Sequence, residues 1–372
     1  MKFTVSTKPL KNGLNLCIID ANVVNFYTKS KLVQIVATKD TLRINHAANL
    51  ILSEIVLKGL GEGMNEDGSA SIMVDPIQLK RLIATITTPQ VEFEFAENAL
   101  IIHSGKSKFS LPMLLDASEV ELDAPTALSA DDIAAGTEIS KTEWKFIKDY
   151  QMYAKGDSAS NPVYTFVYVG ENGDVLVGDF VNSIFTHSCV SKFGKTCLLS
   201  DTIINLFNSL PDGAKIISHE STYSIAVSTD GYDYVSEFTP KYESEENGDY
   251  SSEIIIGMMH EDEKAVAKVN TSDIITVLNQ AALVSTDKTP TINCTVEKNQ
   301  ITFSNSRATG VVVSEGGPDE PYTLIFPANI LKSMISNCPE SQITISPSFN
   351  EDGVVGIVVC SGGLTVVLAG ME

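Results

Sequence analysis

The residues that could act as nucleophiles, acids or metal ligands are dispersed along the chain. The five histidines show no second His or Cys at the spacing of a metal site. The run HEDEK at 260–264 is typical of a solvated acidic loop rather than of a metal site. No GxSxG element and no nucleophile with a base partner is visible. The sequence therefore predicts no enzyme activity, no metal and no cofactor.

The cysteines and the N-terminus bear on the compartment. Most of the six cysteines lie inside apolar runs such as LNLCII and IVVCSG, without close CxxC pairing. We interpret them as reduced core residues. The N-terminus lacks signal-peptide features, and no stretch approaches the roughly 20 apolar residues that span a bilayer. We therefore expect a soluble, cytoplasmic protein.

Lysine spacing indicates one kind of chemistry, the attraction of a polyanion. Lys141, Lys145, Lys148 and Lys155 lie at i, i+4, i+7 and i+14, which places four ammonium groups on one stripe of a helix. Trp144, in the same segment, occupies another face. The theme recurs on other predicted helices at Lys8, Lys11, Lys80, Arg81 and Lys332. A solvated lysine face is the alternative interpretation.

The overall charge argues against a nucleic-acid binder unless the charges are segregated. The chain has 26 Lys and Arg against 47 Asp and Glu, for a formal net charge of −21. Phosphate contacts normally require clustered cations. The acidic residues concentrate in predicted loops and linkers. This distribution predicts an acidic exterior and a locally basic helical surface.

These lysines belong to a unit that recurs six times along the chain. Each unit has a short strand, a helix-capping residue, an amphipathic helix and β-rich segments joined by turns. The helix starts lie in TVSTKPLKNGL, IMVDPIQLKRLI, TEISKTEWKFIKDY, LLSDTIINLFNSL, KVNTSDIITVLNQ and LIFPANILKSMI. The pairs VEFEF/ALIIHSG and TINCTV/QITFSN are typical of hairpins. Six units in three pairs predict an α+β fold of three similar domains, each with two helices packed on antiparallel sheets.

Composition suggests where the domains meet. A chain of 372 residues exceeds one comfortable core. The acidic, alanine-rich run around 115–136 and the segment YESEENGDY at 242–250 have the composition of linkers. We predict domains at 1–123, 124–258 and 259–372.

Several segments resemble bacterial DNA sliding clamps, the β-clamp family. The resemblance is carried by MKFTV at the start, ALIIHSGKSKFSLPML at 99–114, SDIITVLNQAALVSTDK at 272–288 and VEKNQITFSNS at 296–306. It covers the whole chain, and in the middle domain it rests on repeat order. It implies a head-to-tail homodimer that closes as a ring, with helices lining a hole for duplex DNA. It also implies a processivity factor that tethers DNA polymerase and a clamp loader through short peptide motifs.

The resemblance further implies two sets of site residues. The subunit interface would contain Lys106, Lys108, Phe109 and Leu111, facing Leu283 and Val284 of the other subunit. The partner-peptide pocket would contain Val163, Phe180, Asn182, Ser183, Ile184, Phe185, Val366, Val367 and Leu368. Two departures stand out. RATGVVVSE at 307–315 replaces an acidic interface run, and the pocket motif and the C-terminus read FVNSIF and LAGME, which implies a different peptide preference.

Two alternatives to a ring clamp remain open. One is a monomeric, clamp-like replication accessory protein, and the other is a non-enzymatic structural protein with a similar repeat. Helices at matching positions in all six units count against the second, because all-β structural repeats seldom contain them. The mass of the protein in solution separates a ring from a monomer.

Overall fold

The computed structural model describes residues 1–18, 31–48, 51–63, 68–114, 122–141, 143–145, 147–148, 165–178, 183–188, 193–242, 264–284, 290–350 and 353–371. The chain divides into two compact units, Met1–Lys141 with Thr202–Pro240 and Thr142–Asp201 with Lys241–Glu372. Helices pack on sheets whose described strand pairings are antiparallel. This confirms the predicted α+β class.

The helices of the described residues are α1 (Thr7–Cys17), α2 (Pro76–Thr85), α3 (Ala130–Ala135), α4 (Asp201–Ser209), α5 (Thr271–Val284) and α6 (Ala328–Ser336). Residues 141, 143–145 and 147–148 are also helical and form what we call the Trp144 helix. Helices are therefore present at all six predicted starts. The short α3 was not predicted, and it lies inside the acidic run interpreted as a linker.

The strands up to residue 138 are β1 (Lys2–Ser6), β2 (Val33–Ala37), β3 (Thr41–Ala48), β4 (Ile51–Lys58), β5 (Leu60–Glu62), β6 (Ala70–Val74), β7 (Gln90–Phe95), β8 (Ala99–Ser104), β9 (Ser107–Pro112) and β10 (Thr137–Glu138). Those up to residue 238 are β11 (Val167–Val169), β12 (Asp174–Gly178), β13 (Ser183–Ser188), β14 (Cys197–Leu199), β15 (Lys215–Ser218), β16 (Tyr223–Ser228) and β17 (Tyr232–Phe238). The remainder are β18 (Ala267–Asn270), β19 (Thr291–Glu297), β20 (Gln300–Ser304), β21 (Thr309–Val313), β22 (Glu315–Gly316), β23 (Tyr322–Pro327), β24 (Gln342–Asn350), β25 (Gly353–Ser361) and β26 (Leu364–Ala369).

Helix capping follows the prediction at α2 but not at every helix. Asp75 precedes α2, and its carboxylate accepts a hydrogen bond of 2.9 Å from the Gln78 amide, with Pro76 next in the chain. Ser6 and Pro327 precede α1 and α6 without a side-chain capping bond. Instead, the first amides of α1 and α6 donate to the carbonyls of Pro89 and Pro290. At α1, a backbone acceptor from a distant loop therefore replaces the side-chain cap that Ser6 predicted, and at α6 it supplies an acceptor that the Pro327 side chain lacks.

The first unit contains two sheets. One has the order β5-β1-β7-β8-β9, and the other has the order β10-β15-β16-β17-β4-β3-β2-β6. The predicted hairpin of β7 and β8 is present, with Phe93 opposite Ile102. In the larger sheet β4 pairs with β17 along seven residue positions, from Ile51↔Phe238 to Leu57↔Tyr232. Strands far apart in the chain thus share one continuous sheet.

Helices cover one side of this larger sheet. Helix α1 contacts β4 and β17. Gly13 of α1 is buried, and a Cβ there would come within 3.0 Å of Ile55 on β4, so the glycine permits the close approach. Farther along, Phe207 of α4 meets Phe238 edge-on at 5.9 Å, and Tyr223 stacks on Phe238 at 5.6 Å. The core therefore lies between the helices and the sheet.

The second unit also contains two sheets, ordered β14-β11-β12-β13-β26-β25-β24-β18-β22 and β21-β20-β19-β23. The predicted hairpin of β19 and β20 is present, with Cys294 opposite Phe303. Helices α5 and α6 contact each other, and α5 packs on β21. A Cβ on Gly310 of β21 would overlap the side chain of Val277 on α5. The absence of a side chain at Gly310 therefore sets how closely this helix approaches the sheet.

The predicted linkers lie only partly within the described residues. Residues 122–129 form neither helix nor strand, and α3 follows them. The amide of Thr126 donates to the Glu237 carboxylate at 2.7 Å, which attaches this segment to β17. Residues 115–121 and 243–250 lie outside the described residues. The three-domain division at 123/124 and 258/259 stays a prediction.

Candidate functional site

The described helices α1, α2 and α6 contain no acidic residue, although the chain has 47 Asp and Glu in all. Helices α4 and α5 each have one, Asp201 and Asp273, in the first turn. A solvated surface in so acidic a protein would be expected to mix charges of both signs. These five helices are poor in carboxylates, as a surface that faces a polyanion would be, whereas α3 contains Asp131 and Asp132 and the Trp144 helix contains Glu143.

The predicted cations of α1 and α2 have two different environments. Lys8 and Arg81 are exposed. Lys11 is half-buried, and its ammonium donates to the carbonyls of Ala84 and Ile86 at 2.9 and 2.5 Å. Lys80 is half-buried and donates to the Ile18 carbonyl at 2.6 Å. The sequence pattern predicted all four cations to face DNA. It did not distinguish Lys11 and Lys80, which bind backbone carbonyls, from Lys8 and Arg81, which project outward.

The Trp144 helix shows part of the arrangement that its sequence pattern predicts. Lys141 and Lys145 are exposed and Lys148 is half-buried. Trp144 and Ile147 are fully buried, and Trp144 packs edge-on against Phe193 with ring centroids 5.8 Å apart. The apolar residues thus anchor the helix while two of the lysines project into solvent. Lys155 lies outside the described residues, and Lys332 is half-buried on α6.

Strand β9 forms an edge of its sheet and carries the predicted interface residues of the first unit. Lys106, just before it, and Lys108 are exposed. Phe109 is half-buried and Leu111 is 7% exposed, and they lie opposite the core residues Ile102 and Leu100. The edge therefore has a charged face and an apolar face, and its outer row of backbone groups has no strand partner among the described residues.

A charged cluster backs this edge. His103 lies opposite Lys108, and its Nε2 is 2.7 Å from Oε2 of Glu94 on β7. The hydrogen bond to His103 lowers the pKa of Glu94 below its usual range, with a smaller contribution from Lys108. The cluster keeps the carboxylate ionised beside the edge lysine.

Strand β21 forms an edge of the four-stranded sheet in the second unit and is strongly apolar. Val313 is 80% exposed and Val311 is 53% exposed. At the end of α5, the predicted interface residues Leu283 and Val284 are 84% and 43% exposed. In the sequence, Val311 and Val313 stood out only as a departure from an acidic run. The run of three valines could have indicated them, because alternate residues of a strand face the same side, which places Val311 and Val313 together.

The predicted peptide-pocket residues are brought together in part. Strand β13 pairs with β26 so that the backbone of Ser183, Ile184 and Phe185 lies opposite Leu368, Val367 and Val366, respectively. Those three β26 side chains are buried, at 2% to 5% exposure. Val163, Phe180 and Asn182 lie outside the described residues.

Val367 belongs to an apolar cluster on this sheet. It packs with Leu176, Leu198 and Val358, against the partly buried Phe166, Tyr168 and Cys360. Lys241 lies over the ring of Phe166 with its ammonium 4.8 Å from the centroid. The partly exposed aromatic rings give this cluster a surface that an apolar peptide side chain could contact.

Acidic and metal-ligating groups form no comparable site in the part of the chain that the structure describes. Across those residues, no three His, Cys, Asp or Glu side chains are grouped so that they could hold a metal ion. No helix there is both long and apolar enough to cross a membrane.

The fold is found in solved structures. The DNA polymerase sliding clamp of Bacillus subtilis superposes with a TM-score of 0.76 at 16% identity, covering 100% of this chain and 99% of that one. This chain has the β sliding clamp fold. The DNA polymerase III β subunit of Pseudomonas aeruginosa gives a TM-score of 0.75 at 13% identity, with both chains fully covered.

The Helicobacter pylori β clamp, solved with a DNA ligase peptide, also matches over both full chains, with a TM-score of 0.72 at 15% identity. No protein-family model matches the sequence, and no curated protein matches it either. The similarity is therefore one of fold across full-length chains, and it confirms the sliding-clamp resemblance found in the sequence.

Proposed function

We propose that this protein is a sliding clamp, a ring-forming processivity factor that encircles duplex DNA and tethers a DNA polymerase. The observation that carries the proposal is the structural match to clamps along the full length of both chains. Fold alone does not determine function, so features of this chain's own surface must also support the proposal. Three such features do so: two sheet edges with apolar side chains, exposed cations on helices with few carboxylates, and an apolar cluster with half-buried aromatic rings.

The two edges suit a head-to-tail homodimer. An exposed edge strand is an aggregation hazard unless another strand covers it. Pairing of β9 of one copy with β21 of the other would cover both edges and would bring Phe109 and Leu111 beside Leu283 and Val284. Because the interface is heterologous, each copy offers one edge of each kind, and two copies close a ring.

The chemistry of this interface would be mainly apolar. Val311 and Val313 occupy the strand where an acidic partner for Lys106 and Lys108 was expected. The aliphatic stems of these lysines can lie over valine side chains while their ammonium groups stay in water. We therefore propose an interface held by apolar contact and backbone hydrogen bonds, with little contribution from ion pairs.

The helices would form the DNA-facing surface. Diffuse attraction between ammonium groups and phosphates needs no base contacts, so it permits movement along any sequence. The proposed contributors are the exposed cations of α1, α2 and the Trp144 helix, with Lys155 and Lys332 as further candidates. Retention on DNA then depends on ring closure, which explains how a protein of net charge −21 can serve DNA.

Partner proteins would bind at the apolar cluster around Val367 through short peptide segments. The H. pylori clamp was solved with a DNA ligase peptide, which supports peptide binding in this fold. DNA polymerase and a clamp loader are the proposed partners of this chain. The altered FVNSIF segment predicts a peptide preference of its own. We propose no catalytic activity, no cofactor and no metal, and a cytoplasmic location on replicating DNA.

The decisive experiment compares retention on circular and linear DNA. The protein is loaded onto a nicked circular duplex by its cognate clamp loader and passed through a gel-filtration column, before and after the circle is linearised at one site. A clamp stays on the circle and is lost from the linear form. Equal loss from both forms would rule out topological tethering.

The oligomeric state separates the ring from the monomeric alternative. Sedimentation velocity should show a species of about twice the chain mass of 40.1 kDa. A strict monomer at micromolar concentration would favour an accessory protein without a ring. Substitution of Leu283 tests whether side-chain contacts at the same interface hold the dimer together.

A further inference from the structure

Helices α1 and α2 each use one lysine to cap the other helix. Lys11 of α1 binds the carbonyls of Ala84 and Ile86, at the C-terminal end of α2. Lys80 of α2 binds the carbonyl of Ile18, the C-cap residue that follows Cys17 at the end of α1. The two contacts are reciprocal, so each helix supplies the cation that the C-terminus of its neighbour lacks.

Helix C-termini favour such a contact for two reasons. The last carbonyls of a helix have no intrahelical donor, and the aligned peptide dipoles place a partial negative charge there. Neither helix has a basic residue in its own last turn that could supply the charge. An ammonium group committed to these carbonyls has little remaining attraction for a phosphate, and its stem is held by the packed helix.

The other two cations of the pair are differently placed. Lys8 and Arg81 are exposed, and neither forms a hydrogen bond or ion pair with another described residue. Lys8 lies three positions before Lys11, so the two ammonium groups are neighbours on α1. With Lys11 bound to α2, Lys8 is left as the projecting charge. Arg81 shares the exposed side of α2 with Gln78 and Thr85.

The position of the capping lysines recurs in the repeat. Lys11 and Lys80 are each the fifth residue of their helix, and each follows a buried leucine, Leu10 or Leu79. Lys332 is the fifth residue of α6 and follows the buried Leu331. Lys145 also follows a buried residue, Trp144, but it is exposed. The shared position therefore follows from the repeat, and the contacts of Lys11 and Lys80 with the neighbouring helix are what distinguish those two lysines.

We propose that Lys11 and Lys80 are positioning residues that lock α1 and α2 against each other, and that Lys8 and Arg81 are the phosphate-contacting cations of this pair. The DNA half of this inference rests on the proposed function. The lock itself does not, because it depends only on contacts between the two helices.

The test uses Lys11→Met and Lys80→Met, with Lys8→Met and Arg81→Met as matched controls on the same helices. Methionine keeps an unbranched apolar stem and removes the charge. Two quantities are measured for the full-length protein: the thermal unfolding midpoint, and the slope of log Kobs against log salt for a short linear duplex. Lys11→Arg serves as a rescue variant that keeps a cation and its donors.

We expect Lys11→Met and Lys80→Met to lower the unfolding midpoint by about 2–4 °C each and to leave the salt slope unchanged. Lys8→Met and Arg81→Met should leave the midpoint unchanged and reduce the magnitude of the slope by about 0.9 for each phosphate that the variant no longer neutralises. Lys11→Arg should restore most of the midpoint. The reverse pattern, with Lys11→Met flattening the slope at an unchanged midpoint, would overturn the inference.

Failure of the proposed function would look different. If the wild-type protein does not bind duplex DNA at all, the DNA half falls together with the clamp proposal. In that case the thermal unfolding midpoints still test whether Lys11 and Lys80 hold α1 and α2 together. Equal midpoints for Lys11→Met, Lys80→Met and their two controls would show that the reciprocal contacts hold nothing in place.

Discussion

Replacing Leu283 by Ala should weaken the proposed ring strongly while leaving the fold of each chain intact. Leu283 is 84% exposed at the end of α5, so its side chain contributes almost nothing to the core of its own unit. Any cost of the substitution must therefore come from contact with another molecule. The site is useful because dimer stability and chain stability are separable there.

The magnitude follows from the area that dimerisation would cover. Leu→Ala removes three carbon atoms, at about 0.8 kcal/mol for each buried CH₂ group, and the exposed fraction reduces this to about 2 kcal/mol per interface. A ring has two such interfaces, and both must open for dissociation, so the loss approaches about 4 kcal/mol. This corresponds to a rise of about 1,000-fold in the dimer dissociation constant.

Leu60→Ala provides a matched control. Leu60 is 66% exposed on β5, which lies at the opposite edge of the sheet that contains β9. The same chemical change there should leave the dissociation constant unchanged. Sedimentation velocity across a dilution series measures both variants, with unfolding midpoints to verify that the chains are folded.

Two results would refute the reasoning. One is an unchanged dissociation constant for Leu283→Ala, and the other is an equal shift for Leu60→Ala. The apolar character of β21 adds a condition, because raising the salt concentration should not dissociate the wild-type dimer. An interface that opens steeply with salt would instead be ionic, and the proposed role of Val311 and Val313 would fail.

Three further predictions concern the chain itself. The hydrogen bond to His103 lowers the pKa of Glu94, so the ionised carboxylate stabilises the fold above the pKa of the unfolded chain, and this contribution is lost as pH falls through the pKa of the folded chain. The difference in thermal unfolding midpoint between wild type and Glu94→Gln should therefore shrink in acid. A difference that stays constant with pH would contradict this. Gly310→Ala should destabilise the second unit by about 1–3 kcal/mol in denaturant titrations, because the new Cβ overlaps the side chain of Val277. Gly170→Ala is the control and should be nearly neutral, because its Cβ would lie 3.5 Å from the nearest atom outside its chain neighbours. Burial raises the pKa of the Cys17 thiol, and it raises that of Cys294 to about 12. Both thiols should react with a disulfide reagent only when the protein unfolds, whereas the half-buried Cys338 and Cys360 should react earlier. Early labelling of Cys294 would argue against its burial.

The helices could be predicted from the sequence because they depend on local patterns. Apolar spacing located every one of the six repeat helices, and Asp75 caps α2 as its residue type suggests. The short helix α3 was missed, although Ser129 and Asp132 form a capping box whose spacing is visible in the sequence. Its six residues bury no side chain, so the segment has no apolar periodicity from which a helix could be predicted.

Contacts between segments far apart in the chain could not be predicted from local sequence patterns. Alternation identifies β4 and β17 as strands, but nothing in either segment specifies that they pair with each other. For the same reason, Ser6 suggested a side-chain cap at α1, where a loop carbonyl from Pro89 supplies the bond. The lysine stripe had the same limit. Whether an ammonium group faces solvent or the end of a neighbouring helix depends on the helix pairing, which spacing along one helix does not contain.

The pairing of β4 with β17 also determines how this protein can be dissected. A fragment cut at residue 123 would contain β4 but not β17, and it would expose a fresh edge of seven residues with alternate apolar side chains. Such an edge recruits other strands, and the fragment would tend to aggregate during expression. Truncation studies should therefore keep residues 202–240 together with the N-terminal segment, for example by joining the two with a flexible linker.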